Sequence, residues 1–111
     1  MEEYRRAIAR LFESVDVLMT PTAPAPPSTI VELVDDMDHL RTRETVMLRN
    51  TRPFNTLGLP TISVPCGFTK TGLPLAMQIT GAPQAEGAVL RLANAYEQHT
   101  EWHARHPDSE C

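Results

Sequence analysis

Two cysteines, four histidines, four serines and one lysine are the residues of this chain with obvious chemical reach. Cys66 is the most suggestive, because it follows an alternating apolar run and precedes Gly67. A cysteine nucleophile needs a thiolate, an adjacent base and donors for an oxyanion. No histidine lies in the segments around Cys66; His99, His103 and His106 all sit near the C-terminus. The plainer reading is adopted: Cys66 is expected to be buried, to behave as a small apolar group and to be dispensable. With only Cys66 and Cys111 there is no disulfide framework, which points to a reducing compartment.

Metal chemistry is weighed in the same way. His99 and His103 are one helical turn apart, a spacing that suits two zinc ligands. No glutamate follows His99, so the His-Glu-x-x-His pattern is absent, and exposed histidines near a helix end are expected instead. Asp35, Asp36 and Asp38 lack the glycine and the distant glutamate of a calcium loop, and read as a solvated acidic turn. There is no glycine-rich phosphate loop and no Gly-x-Ser-x-Gly. Ser14, Ser28, Ser63 and Ser109 have no lysine or histidine close by in sequence, and Lys70 falls in an expected turn. No cofactor, no metal and no catalytic residue are expected in this chain.

A chain of 111 residues is one domain at most, with a modest core. Its net charge of −4 argues against a nucleic-acid surface. No apolar run has the length needed to span a bilayer, and nothing of signal-peptide type follows Met1, so no membrane partner and a cytoplasmic location are expected. Glu2 to Ser14 reads as an amphipathic helix and Asp16 to Met19 as a short buried strand. The prolines of Thr20 to Pro27 hold the chain extended as a loop, with a proline-rich ligand as the sharper alternative. Asp38 caps an expected helix from His39 to Asn50, which Pro53 stops by Arg52.

Phe54 to Ile79 reads as two strands joined by a turn. Thr61-Ile62-Ser63-Val64 alternates and is rich in β-branched residues, Pro65 closes it, and Leu75 to Ile79 is the second run. Gly72 is available for a positive φ in the turn between them. Pro83 to Trp102 is the last helix, with Ala85, Ala88, Val89, Leu92, Ala95, Tyr96 and His99 on one face. Residues 1–105 form a single domain in this reading, and 106–111 a flexible tail.

The same stretch carries a resemblance. Asn55-Thr56-Leu57-Gly58-Leu59-Pro60-Thr61-Ile62-Ser63-Val64-Pro65-Cys66-Gly67, then Gly72-Leu73-Pro74 and Gln78-Ile79-Thr80-Gly81, resembles the carboxy-terminal signature of the amidase signature family. Asp16 to Thr22 is similar to the family's strand and the loop that passes near the substrate cleft. Members hydrolyse amide bonds or act as the glutamine-hydrolysing subunit of tRNA-dependent amidotransferases. The resemblance covers nearly the whole chain but only the closing part of the family's fold. It implies an α/β fold: a partial mixed sheet of about three short strands, including a hairpin, with flanking helices.

The family's nucleophilic serine, bridging serine and lysine lie upstream in much longer chains and have no counterpart here. In them the lysine and bridging serine take the proton from the nucleophile, and backbone N–H groups hold the oxyanion. The resemblance therefore implies the C-terminal portion of an amidase, inactive alone, that meets an amide substrate only within a longer chain. It places Thr20, Thr22 and Asn55 nearest that substrate, although Asn55 serves equally well bonding backbone in a turn. Glutamine-using subunits carry an aspartate seven residues before the matched asparagine; Leu48 stands there, which leans towards a simpler amidase. The alternative is a protein-interaction module using the proline-rich loop or exposed apolar faces. Self-association through open strand edges is expected.

Overall fold

The computed structural model describes residues 1–107. The chain order is α1 (Glu2–Leu11), β1 (Val17–Pro21), α2 (Ile30–Asp35), α3 (Leu40–Met47), α4 (Arg52–Leu57), β2 (Thr61–Phe68), β3 (Pro74–Gly81) and α5 (Glu86–Gln98). The expected α/β architecture is present. The strands form one antiparallel sheet in the order β1-β3-β2, so the last strand lies between the other two.

Alternation divides the sheet into two faces. Ile62, Val64, Met77, Ile79 and Val17 point to one side, where Val89, Leu92, Ala93 and Tyr96 of α5 cover them. Ile79 is fully buried there, with Val64, Val89 and Ala93 close to it. Gly81 permits this approach: a Cβ built on it falls 2.7 Å from Val89 Cγ2 and 3.2 Å from the Ala85 carbonyl. The covering stripe of α5 differs from the expected one in detail. Ala93 is buried, whereas Ala95 and His99 face solvent.

Several boundaries move, each for a local reason. β1 begins at Val17 and runs on to Pro21 as an edge strand, where a residue without an N–H is tolerated. It is half-buried at best, and Met19 is 53% exposed, because no element among the described residues covers its outer side. β2 does not stop at Pro65. It continues to Phe68 through a bulge at Cys66, where the register slips between Pro65 and Gly67. The bulge takes Cys66 out of the strict alternation, so it is half-buried rather than buried. The expected turn is present: the Gly72 N–H donates to the Thr69 carbonyl at 3.0 Å, and Gly72 has φ +88°.

Asp38 does not cap a helix. It lies within a 3-10 turn, Met37–His39, and α3 ends at Met47. Pro53 does not stop α3 either; it sits in the first turn of α4, where the missing N–H has no intrahelical partner anyway. Phe54 to Leu57, which had no assigned element within the expected two-strand stretch, are therefore helical, and Gly58 ends α4 in the left-handed region at φ +69°. Two helices were not expected. α4 is one, and α2 is the other, opened by a reciprocal capping box between Thr29 and Glu32. The acidic turn between α2 and α3 is tied by its own neighbours, with His39 Nδ1 2.7 Å and Arg43 Nη2 3.4 Å from the Asp36 carboxylate.

None of α1 to α4 buries a side chain fully. The Cα radius of gyration is 16.5 Å, against about 13 Å for a compact chain of this length. The sheet and α5 make a core, and the remaining helices are spread beside it. Of the expected tail at 106–111, residues 108–111 lie outside the described residues.

Candidate functional site

The sheet face opposite α5 is lined by hydroxyls and amides. Thr20, Thr61, Ser63, Gln78 and Thr80 share it by strand alternation and register. Buried polar groups need partners, and here they find one another. Thr61 and Thr80 are paired through their hydroxyls at 3.0 Å. Gln78, only 2% exposed, donates from Nε2 to Thr20 Oγ1 at 2.9 Å and to the Asn50 carbonyl at 2.7 Å. Asn50 in turn donates from Nδ2 to the Pro21 carbonyl at 3.0 Å. The link between α3 and α4 is thereby fastened over Gln78 and onto β1.

Thr22 continues β1 by one residue, its N–H donating to the Ala76 carbonyl at 3.1 Å. Its hydroxyl reaches the Ser63 hydroxyl at 2.7 Å, so the two outer strands are joined across β3. Beside this pair opens a cavity of about 360 Å³. Thr22 and the prolines of the following loop form one wall, with Met47 and Pro74–Ala76 opposite. A neutral polar strip therefore borders an almost wholly apolar recess.

This arrangement can bind and orient a neutral polar group; it is not built to activate a nucleophile. A serine nucleophile needs a base within hydrogen-bond reach, and the partner of Ser63 is another hydroxyl. The hydroxyls and carboxamides here can both donate and accept, which matches what an amide presents.

The structure brings Thr20 and Thr22 together on this face and does not bring Asn55 there by any hydrogen bond. Asn55 is exposed on α4, where its backbone carbonyl accepts from the Gly58 N–H at 3.2 Å. Asn50, Ser63 and Gln78 belong to this polar network and were not among the expected residues. A signal for Gln78 existed: a lone amide in an apolar strand must find a buried partner. Asn50 had none, because its contacts are 28 and 29 residues away in the chain. Cys66 and the histidines lie elsewhere, and His99 Nδ1 is 2.7 Å from the Ala95 carbonyl at the end of α5.

Residues 1–90 match the family model for amidase. The chain belongs to the amidase signature family. It is 44% identical over 98 residues to the glutamyl-tRNA(Gln) amidotransferase A-type subunit of Thermodesulfovibrio yellowstonii, covering 88% of this chain and 19% of that protein. The corresponding protein of a Synechococcus species is 46% identical over 99 residues, covering 88% and 18%. Among solved structures, the same amidotransferase component from Thermotoga maritima superposes with a TM-score of 0.67 at 31% identity, over 86% of this chain and 20% of that one. A Kluyveromyces lactis allophanate hydrolase superposes with a TM-score of 0.68 at 26% identity, over 86% and 15%. The chain thus spans about a fifth of the length of the curated relatives it matches. Both sequence segments that carried the resemblance, Asp16–Thr22 and Asn55–Gly81, supply strands of the one sheet.

Proposed function

We propose that this chain forms the C-terminal portion of an amidase, an amide-bond hydrolase of serine-serine-lysine type. It contributes three strands and one wall of the substrate cleft. The observation that carries this reading is the continuous strip Thr20–Gln78–Asn50 with the adjoining Thr22–Ser63 pair, which joins both matched segments to the α3–α4 link and borders an apolar recess. In this reading the strip holds the amide and the recess takes an apolar group attached to it. Asn55 approaches substrate only when the rest of the enzyme is present. The chain alone hydrolyses no amide, since it carries neither the family's serine pair nor its lysine. Leu48 favours simple amides over glutamine. The longer enzyme works in the cytoplasm; no helix among the described residues is long and apolar enough to cross a membrane.

Reading the genomic sequence upstream of the Met1 codon tests this. The expected result is a frame encoding a glycine- and serine-rich segment with two serines, preceded by a lysine. An upstream region without them contradicts the proposal.

A further inference from the structure

A second cavity, of about 720 Å³, lies at the far end of the hairpin, between the β2–β3 turn and the residues after α5. Its size suits a small ligand. Six lining residues set its chemistry: Phe68, Lys70, Trp102, His103, Arg105 and His106. Lys70 is the only lysine of the chain, and among the described residues no acidic side chain lines the cavity. Glu101 lines a neighbouring cavity with His99 and Thr100, and that cavity shares Trp102 and Arg105 with this one. On a chain of net charge −4 this is a local concentration of positive charge.

The aromatic residues give the charge a fixed frame. The Phe68 and Trp102 ring centroids are 6.1 Å apart and tilted by 57°. The Arg105 guanidinium carbon stands 4.4 Å from the Phe68 centroid, a cation–π contact that holds the planar fork in place. An arginine so fixed can present paired N–H donors to a carboxylate or phosphate. Trp102 is held in its 3-10 turn by the Ala104 N–H donating to the Glu101 carbonyl at 3.1 Å.

We propose that this cavity binds a small organic oxyanion, a carboxylate or phosphate borne on a flat apolar group. The anion meets Arg105 and Lys70, with the imidazoles of His103 and His106 as further donors, and the flat group lies against Trp102. This site shares Pro74 with the apolar recess, but none of its six named residues lies on the polar sheet face, and it does not depend on the amidase reading.

Trp102 is the only tryptophan, so its fluorescence reports on this cavity and the neighbouring one that it also lines, and Lys70→Gln, at a residue lining only the first, tells the two apart. The purified chain is titrated with phenylacetate, phenyl phosphate, inorganic phosphate and the neutral benzyl alcohol. Saturable change is expected with phenylacetate or phenyl phosphate, and the tighter of the two identifies the anion. Binding at least about tenfold weaker is expected for benzyl alcohol, for inorganic phosphate, and in Lys70→Gln and Arg105→Gln. Circular dichroism confirms that each variant keeps its fold; Lys70 is in an exposed turn, so its variant stands even where Arg105→Gln does not. Because Asp108 and Glu110 follow the cavity in sequence and can compete as anions, the titration is repeated in Asp108→Asn/Glu110→Gln. Binding in either background supports the site. No saturable change in both backgrounds, equal binding of benzyl alcohol or inorganic phosphate, or indifference to Lys70→Gln overturns it.

Discussion

Gln78 and Thr20 are bonded side chain to side chain at 2.9 Å, although 58 residues separate them. The same Nε2 holds the Asn50 carbonyl at 2.7 Å. One buried amide therefore fixes the edge strand and the link between α3 and α4 against the central strand. Replacing it with leucine keeps the volume but leaves the Asn50 carbonyl without its donor. Gln78→Leu is expected to cost about 1–3 kcal/mol in urea unfolding. A loss within error of zero would show that water replaces these bonds freely.

The contact of α5 with the sheet depends on the missing side chain at Gly81. Gly81→Ala puts a methyl 2.7 Å from Val89 Cγ2 and 3.2 Å from the Ala85 carbonyl. The helix must shift, at a cost of about 1–3 kcal/mol. Adding Val89→Ala removes the nearer clash but not the one with backbone. The double variant is therefore expected to lose less than the sum of the two single losses in thermal unfolding. Simple additivity would contradict this packing.

Acid should loosen α2. The Glu32 carboxyl is held below its ordinary value of 4.5 by the Thr29 backbone N–H first and the Thr29 hydroxyl second. A carboxyl depressed in the folded state stabilises it fully above that ordinary value, and the contribution fades as pH falls through the lowered folded value. A carboxyl-carbon NMR titration should show Glu32 protonating later than a free glutamate during acidification. Thr29→Ala, which removes the hydroxyl and keeps the backbone N–H, should move the midpoint part of the way back up. Identical titrations in the two proteins would remove the Thr29 hydroxyl from the account.

Much of the fold was legible because local pattern and tertiary structure agree. The alternation of Thr61–Val64, the turn at Gly72 and the apolar face of α5 all announce themselves by period or turn chemistry; the stripe of α1 marked a helix, but none of its residues is buried. α2 carried a readable signal too, with Thr29 three residues before Glu32, but its apolar residues found no core and its acidic neighbours suggested a turn. α4 has six residues and contains a proline, so it had no periodicity to read. Cys66 was misplaced because a bulge breaks the alternation that would have turned it inward. In the candidate site, Thr20 and Thr22 were reached through the resemblance. The network around Gln78 was not, because Asn50 meets it only after the chain has folded back across the sheet.

The spread of the structure bears on association. Ile30 is 79%, Val31 67% and Val34 61% exposed on α2, and β1 and β2 are both edges of the sheet. A few hundred Å² of apolar surface at ~25 cal/mol per Å² is worth several kcal/mol before association costs. Light scattering at tens of micromolar is expected to show dimers or larger species, reduced in Ile30→Lys/Val34→Lys. A sharp monomer with cooperative unfolding would show that the chain closes its own surface.

The cleft-wall assignment is tested most directly by kinetics in a chimera. Residues 16–97 replace the matched segment of an active amidase of the family, and hydrolysis of apolar primary amides is measured with and without Thr22→Val. The parent chimera should hydrolyse amides. Thr22→Val should lower kcat/KM by about tenfold, as expected for one lost hydrogen bond to the reacting amide, while the fold is retained. An active chimera indifferent to Thr22→Val would contradict the assignment of this face to the substrate cleft.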